Sequence, residues 1–187
     1  MKVAFDSRPV SDLEGVGHYC RCLLEALGET AAPGDELVHG RRPSALARSS
    51  VADVFHSPWI DGAMLHSPCP MVVSIHDLAA LQRRSERLRC GGLHLRMRRL
   101  ALVRAAHVIV PDEQVADEAI AELGLERERV VVIPEGSDAS GARPGWSWHD
   151  AARATWGVYA RARATARTVS RLPGAGLGAP GSVLRPQ

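Results

Sequence analysis

The sequence is poor in lysine, aromatic residues and long apolar runs. Lys2 is the single lysine, so almost all positive charge is arginine. With the abundance of alanine and glycine, that reads as compositional bias before it reads as a nucleic-acid surface. Aromatics make up only 4% of the chain, too few to interleave with the arginines as base-stacking platforms do, and no nucleic-acid partner is expected. No apolar stretch approaches the roughly 20 residues that cross a bilayer. The opening MKVAFDSRPV lacks the h-region of a secretory signal, and a cytoplasmic location is expected. Cys20, Cys22, Cys69 and Cys90 form no CxxC pair and no spacing with histidine that a zinc site needs. Free thiols and no metal are expected.

What is present bounds the architecture. The chain has 187 residues, 45% hydrophobic and 24% charged, which suits one globular domain plus a tail and excludes a large two-domain enzyme. A net charge of +2 hides an asymmetry, with +6 in residues 139–187 and −4 in the remainder.

Short apolar, β-branched runs at Lys2–Asp6, Val51–His56, Met71–Ile75, His107–Val110 and Val130–Ile133 predict strands buried on both faces. Between them, His18–Leu27, Leu93–Ala105 and Asp112–Leu123 carry apolar residues at helical spacing, the last closed by Gly124. Strands alternating with helices predict an α/β fold, a doubly wound parallel sheet with ligands at the carboxyl ends of its strands. This domain is expected over residues 1–138, followed by a linker at 139–146. A helix is expected over 147–168, where Ser147-Trp-His-Asp150 matches a capping box. Its stripe Trp148, Ala152, Trp156 and Tyr159 should pack on the domain. Residues 169–187, rich in Gly, Pro, Ala and Arg, are expected to be disordered.

Four features could carry chemistry. Gly15 and Gly17, before the first helix, either let backbone N–H groups approach a phosphate or simply make a turn. His76 and Asp77 follow a strand, where an imidazole could meet a sugar hydroxyl and the carboxylate could orient it, or the histidine could cap its own loop. His56 closes the preceding strand and is open between a ligand contact and loop packing. Residues 83–104 hold eight arginines, including Arg96 and Arg99, against the single acid Glu86. They suit a phosphate-bearing acceptor, an anionic membrane surface, or a solvated helix face.

The order of these motifs resembles a known family. Glu14-Gly-Val-Gly-His-Tyr19, Asp53-Val-Phe-His-Ser-Pro58, Val72-Val-Ser-Ile-His-Asp-Leu78, Arg104-Ala-Ala-His-Val-Ile109 and Arg129-Val-Val-Val-Ile-Pro-Glu-Gly136 look like the N-terminal domain of family 4 glycosyltransferases. The resemblance implies the Rossmann-like, acceptor-side half of a GT-B enzyme, retaining and dependent on a nucleotide sugar as donor substrate, without a metal. It implies transfer of a hexose to an acceptor, with His76 beside the reaction centre. The family's donor domain has no counterpart here. Glu118 and Glu126 share the spacing of its glutamate pair, but on a helix and its exit, and the match is chance. Trp146–Tyr159 is similar to the family's closing helix, as though the two ends of an enzyme were joined by an internal deletion near 138–146. The expectation is therefore a half-enzyme inactive alone. The alternative is a non-catalytic binding or assembly module, or a subunit that pairs with a separate donor-binding chain. In either case the expected location is cytoplasmic, peripheral at the inner membrane surface.

Overall fold

The computed structural model describes residues 1–12, 15–48, 52–78, 92–137 and 145–171. In chain order the elements are β1 (Lys2–Asp6), α1 (Val16–Glu29), β2 (Glu36–Gly40), the short α2 (Pro43–Leu46), β3 (Val54–Ser57) and β4 (Met71–Ser74). They continue with α3 (Gly92–Val103), β5 (His107–Val110), α4 (Glu113–Leu123), β6 (Val130–Val132) and α5 (Trp148–Arg171). All six strands are parallel, in the order β2-β1-β3-β4-β5-β6. The α/β doubly wound, Rossmann-like reading is correct.

Strand pleating divides the core in two. Ala4, Phe55, Met71, Val73, Val108 and Val110 face the layer formed by α3 and α4, with Leu102, Ala116 and Ala119 against them. Their neighbours Val3, Phe5, Val54, Val72 and Ile109 face the opposite layer, formed by α1 and α5. The period-2 alternation within strands that are buried throughout is what a sheet covered on both faces requires.

The helix ends follow their local chemistry. Asp112 caps α4 by accepting a 2.9 Å hydrogen bond from the Val115 amide, and Gly124 closes it at φ +67°. At the start of α5, the Asp150 amide donates to Ser147 Oγ and the Ser147 amide to the Asp150 carboxylate. This reciprocal pair is the expected capping box. It also holds the Asp150 pKa below the usual carboxylate value, chiefly through the Ser147 hydrogen bonds.

Helix α5 docks along its expected stripe. Tyr159 and Ala152 are fully buried and Trp156 retains 9% exposure, while the Trp156 indole N–H donates to the Leu27 carbonyl of α1 at 3.3 Å. Each large aromatic removed from water contributes about 2–3 kcal/mol before ordering costs.

Several boundaries differ from expectation. β2 was not anticipated: it is an edge strand whose only apolar pair is Leu37-Val38, half-exposed. Trp146, assigned to the linker, belongs to the packed entry of α5, its indole N–H donating to the Pro134 carbonyl at 2.9 Å. The rest of the linker up to residue 144 lies outside the described residues. α5 runs to Arg171, beyond the boundary expected at 168, and the tail from 172 also lies outside them. In α3, Leu93, Met97 and Leu100 are exposed, and Ala101 and Leu102 make the buried contact instead.

Replacing Trp156 with Ala removes the indole that joins α5 to α1 and should lower the unfolding free energy by about 3–5 kcal/mol, measured by urea denaturation. An unchanged midpoint would mean that α5 does not stabilise the domain.

Candidate functional site

Strand order reverses between β1 and β3, and a doubly wound sheet opens a crevice at the carboxyl ends of strands at such a switch. The segments leaving β1, β3, β4 and β6 converge there. A cleft of about 140 Å³ is lined by Val16, Trp59, Ile60, Asp61, His76 and Asp77. A larger cavity, about 580 Å³, lies instead beside the entry to β4, between residues 64–71 and the end of α5. Size alone does not choose between them, and the chemistry is at the smaller one.

His76 is fixed at both ring nitrogens. Nδ1 lies 2.9 Å from Glu135 Oε1 and Nε2 lies 3.0 Å from the Pro58 carbonyl oxygen. A carbonyl only accepts, so Nε2 is the donor there, and the Glu135 contact holds the other side of the ring. The ring also meets the edge of Tyr19, with centroids 4.4 Å apart. Its side chain keeps 20% exposure, toward the cleft. Glu135 was not singled out in the sequence. Its one signal was position, directly after the Ile133-Pro134 exit of a parallel strand.

Beneath His76 runs a buried polar chain. Tyr159 Oη of α5 lies 2.6 Å from His56 Nδ1, His56 Nε2 lies 3.0 Å from Ser74 Oγ, and Ser74 Oγ lies 3.1 Å from Tyr19 Oη. Burial pushes the His56 pKa down to about 3, with His76 adding a smaller electrostatic contribution. A neutral imidazole has one N–H, so the chain must run in one direction. If Tyr159 donates to Nδ1, then Nε2 donates to Ser74, Ser74 to Tyr19, and the last proton faces a void of about 10 Å³ that Tyr19, Ser74, His76 and Glu135 help to line. That space is about one water across. The opposite direction would leave the proton of the fully buried Tyr159 hydroxyl without an acceptor among the described residues, whereas the first places the terminal proton on Tyr19, beside that void.

This corrects the reading of His56 as a substrate contact. The ring is fully buried and both nitrogens are engaged by protein. It serves as a structural link between the sheet and α5.

The two glycines play different parts. Gly15 stands before α1 at φ +56°, ψ −123°, a conformation that favours glycine. Gly17 allows a close approach: a Cβ there would overlap the Asp12 carbonyl. Val16 between them lines the cleft, so the amino end of α1 borders the same space as His76. Asp77 is exposed at the rim.

Arg96 and Arg99 are on exposed α3, and neither lines this cleft. Arg99 pairs with Glu122 at 3.0 Å, and Arg98 reaches Asp61 at the cleft wall. The other arginines of the cluster before residue 92 lie outside the described residues, as does Cys90. Among the described residues, Cys20, Cys22 and Cys69 form no disulfide. Burial raises the Cys20 pKa to about 12 and that of Cys69 to about 11, so neither is a ready nucleophile. Among the described residues, no group of three or more His, Cys, Asp or Glu could hold a metal ion, and no helix is long and apolar enough to cross a membrane.

The buried histidine makes stability depend on pH. Below its ordinary pKa of 6.5 the unfolded chain protonates His56, whereas the folded chain resists to about pH 3. Stability from this group is therefore complete above pH 6.5 and lost as pH falls through that window. Between pH 7.5 and 5, the parent chain should lose about 1–2 kcal/mol more unfolding free energy than His56→Gln. Parallel urea denaturation profiles for the two proteins would refute the assignment.

No curated protein matches the chain. The family model of Glycosyltransferase Family 4 matches residues 32–140, which span β2 to the exit of β6 and include His56, His76 and Glu135. The chain belongs to glycosyltransferase family 4.

Proposed function

We propose that this chain supplies the acceptor side of a nucleotide-sugar-dependent hexosyl transfer, and that a second, donor-binding domain must complete the site. The observation that carries this reading is His76, held from two sides at the carboxyl end of β4 and facing a cleft bordered by the amino end of α1. Nε2 is committed to the Pro58 carbonyl, so Nδ1 is the atom that could exchange Glu135 for a hydroxyl of the transferred sugar. Glu135 is half-exposed and can swing away without leaving a buried charge. The amino end of α1, with its backbone N–H groups and positive dipole end, suits a donor phosphate.

One doubly wound unit builds one wall of a cleft. Positioning donor against acceptor, with water excluded, needs the other wall. The purified chain alone should therefore not turn over nucleotide sugars. Addition of a donor-binding partner chain should produce transfer, and His76→Ala should reduce it by about 100-fold or more. The measurement is product formation across a panel of nucleotide sugars. Robust transfer by the 187-residue chain alone would refute the half-site reading. Partner-dependent transfer unaffected by His76→Ala would refute the role of His76. No transfer with any partner would favour the non-catalytic binding or assembly module.

A peripheral membrane location belongs to the same proposal. Leu93, Met97 and Leu100 form an exposed stripe at i, i+4 and i+7 of α3, beside Arg96 and Arg99, the pattern of a helix lying on an anionic bilayer. The chain should co-sediment with anionic vesicles. Binding should weaken steeply with salt and fall with the double substitution Arg96→Glu, Arg99→Glu. Absence of vesicle binding would support a solvated helix face instead.

A further inference from the structure

The larger cavity lies at the opposite end of the sheet from His76, where β4 and β5 begin. The loop of residues 64–71 forms one side, and the last turns of α5 form the other. That loop is held by its own contacts. The Met64 amide donates to Met71 Sδ at 3.3 Å, and Ser67 Oγ donates to the Cys69 carbonyl at 2.6 Å. Pro68 and Pro70 restrict the backbone between them. Cys69 and Met71 are buried, so the floor is carbon and sulfur. The volume, about 580 Å³, falls within the roughly 300–1,000 Å³ of small-molecule pockets.

Charge at its mouth has one sign. The exposed Arg104 and His66 line it, and among the described lining residues there is no aspartate or glutamate. Arg104 Nη1 donates to the Leu65 carbonyl at 3.1 Å, and His66 Nε2 lies 3.5 Å from the same nitrogen. A guanidinium only donates, so it meets the acceptor nitrogen of a neutral imidazole, whose N–H is then on Nδ1. No other hydrogen bond or ion pair engages the Arg104 guanidinium among the described residues. Nε and Nη2 are left, the edge that takes a carboxylate side-on. The exposed Leu100 stands one helical turn before Arg104, so apolar surface adjoins the mouth as well.

We propose that this cavity binds a single-chain aliphatic carboxylate, with its head on the Nε–Nη2 edge of Arg104 and its alkyl chain along Met64, Met71 and Ala166. The two halves of such a ligand match the two halves of the cavity. Its methylenes leave water for the apolar floor, and its carboxylate forms charge-assisted, bidentate hydrogen bonds at the mouth. Inorganic phosphate would leave the floor uncovered. A cationic amphiphile would meet Arg104, and a neutral one would leave the guanidinium edge unpaired. The bound chain bridges the loop before β4 to the last turns of α5, and because the loop is already fixed, little ordering opposes binding. The inference concerns the amino ends of the strands and depends on neither sugar transfer nor a bilayer.

The test uses the full chain labelled with methyl-¹³C methionine and read by NMR. Met64 and Met71 line the cavity, Met97 lies on the exposed face of α3, and Met1 lies elsewhere. The cavity lines are assigned by Met64→Leu and Met71→Leu. The probes are dodecanoate, octanoate, dodecan-1-ol, dodecyltrimethylammonium and inorganic phosphate, each below its micellar concentration where it has one. Dodecanoate should shift the Met64 and Met71 lines saturably while Met1 stays fixed. The shorter octanoate should bind about tenfold or more weakly. Arg104→Gln should weaken dodecanoate about tenfold or more and leave dodecan-1-ol unchanged. The proposal is overturned if dodecanoate leaves Met64 and Met71 unmoved, if the shift is confined to Met97, or if dodecan-1-ol, dodecyltrimethylammonium or phosphate binds there as tightly. Equal binding by Arg104→Gln would also sink it. Should that variant fail to fold, Arg104→Lys keeps the charge but loses the side-on edge, and it should bind dodecanoate about threefold or more weakly. Deleting residues 172–187 should leave dodecanoate affinity unchanged. A gain of about tenfold on deletion would assign the cavity to the chain's own C-terminal segment and overturn the proposal.

Discussion

The structure depends on a buried polar chain that runs over one face of the sheet, from Tyr159 of α5 through His56 and Ser74 to Tyr19 of α1. Each of its four side chains is buried, and an unpaired hydroxyl or imidazole there would cost about 1–3 kcal/mol. The chain therefore fixes more than an apolar contact could. Apolar surfaces tolerate sliding, whereas a line of donors and acceptors is satisfied in one register only. It sets where α5 lies on β3 and β4, and it holds Tyr19 against the His76 ring. Trp148 adds a second brace from the entry of α5, its ring 5.8 Å from that of Tyr19. The C-terminal helix thus shapes the ground beneath the candidate site while contributing no residue to the cleft lining.

Most of the sheet was legible because its strands are buried on both faces. Runs such as Met71–Ile75 and His107–Val110 have nowhere else to go in a chain of this composition. β2 escaped because an edge strand needs only one partner and little burial. Leu37 and Val38 are its whole apolar content. The topology was the better guide there, since a helix leaving a parallel strand must return the chain to the sheet. Helix α3 misled in part: periodicity marked Leu93, Met97, Leu100 and Ala101 as a face, of which only Ala101 is buried, because periodicity is equally consistent with burial or with an exposed stripe. Capping is local, so the Ser147–Asp150 box and the Gly124 stop could be read directly.

The site divides along the same line. His76 was legible by position, at the carboxyl end of a central strand. Its partners were not, because Glu135 and the Pro58 carbonyl come from elements 59 and 18 residues away, and a sequence without topology does not bring them together. His56 lies within β3, in register with Val72, whereas His76 lies two residues beyond the end of β4, so only His76 clears the helical layer and reaches the cleft. His56 shares its face with Val54 and Val72, toward α5, and that layer covers it.

Two of the aspartates near the cleft illustrate how one residue type is put to opposite uses by burial. Asp6 is sealed beneath the cleft wall, where its charge is tolerable only because Arg8 and the Trp59 indole N–H surround it. Removing one partner of such a pair would leave the other buried and unpaired, which costs more than the pair itself contributes. That asymmetry makes the Asp6–Arg8–Trp59 unit hard to dismantle piecemeal, and it keeps Trp59 in one orientation. Asp77 lies at the exposed rim, where contact with water makes a carboxylate's charge inexpensive. The rigid wall comes from the strand ends of β1 and β3, and the exchangeable groups come from the segments after β4 and β6.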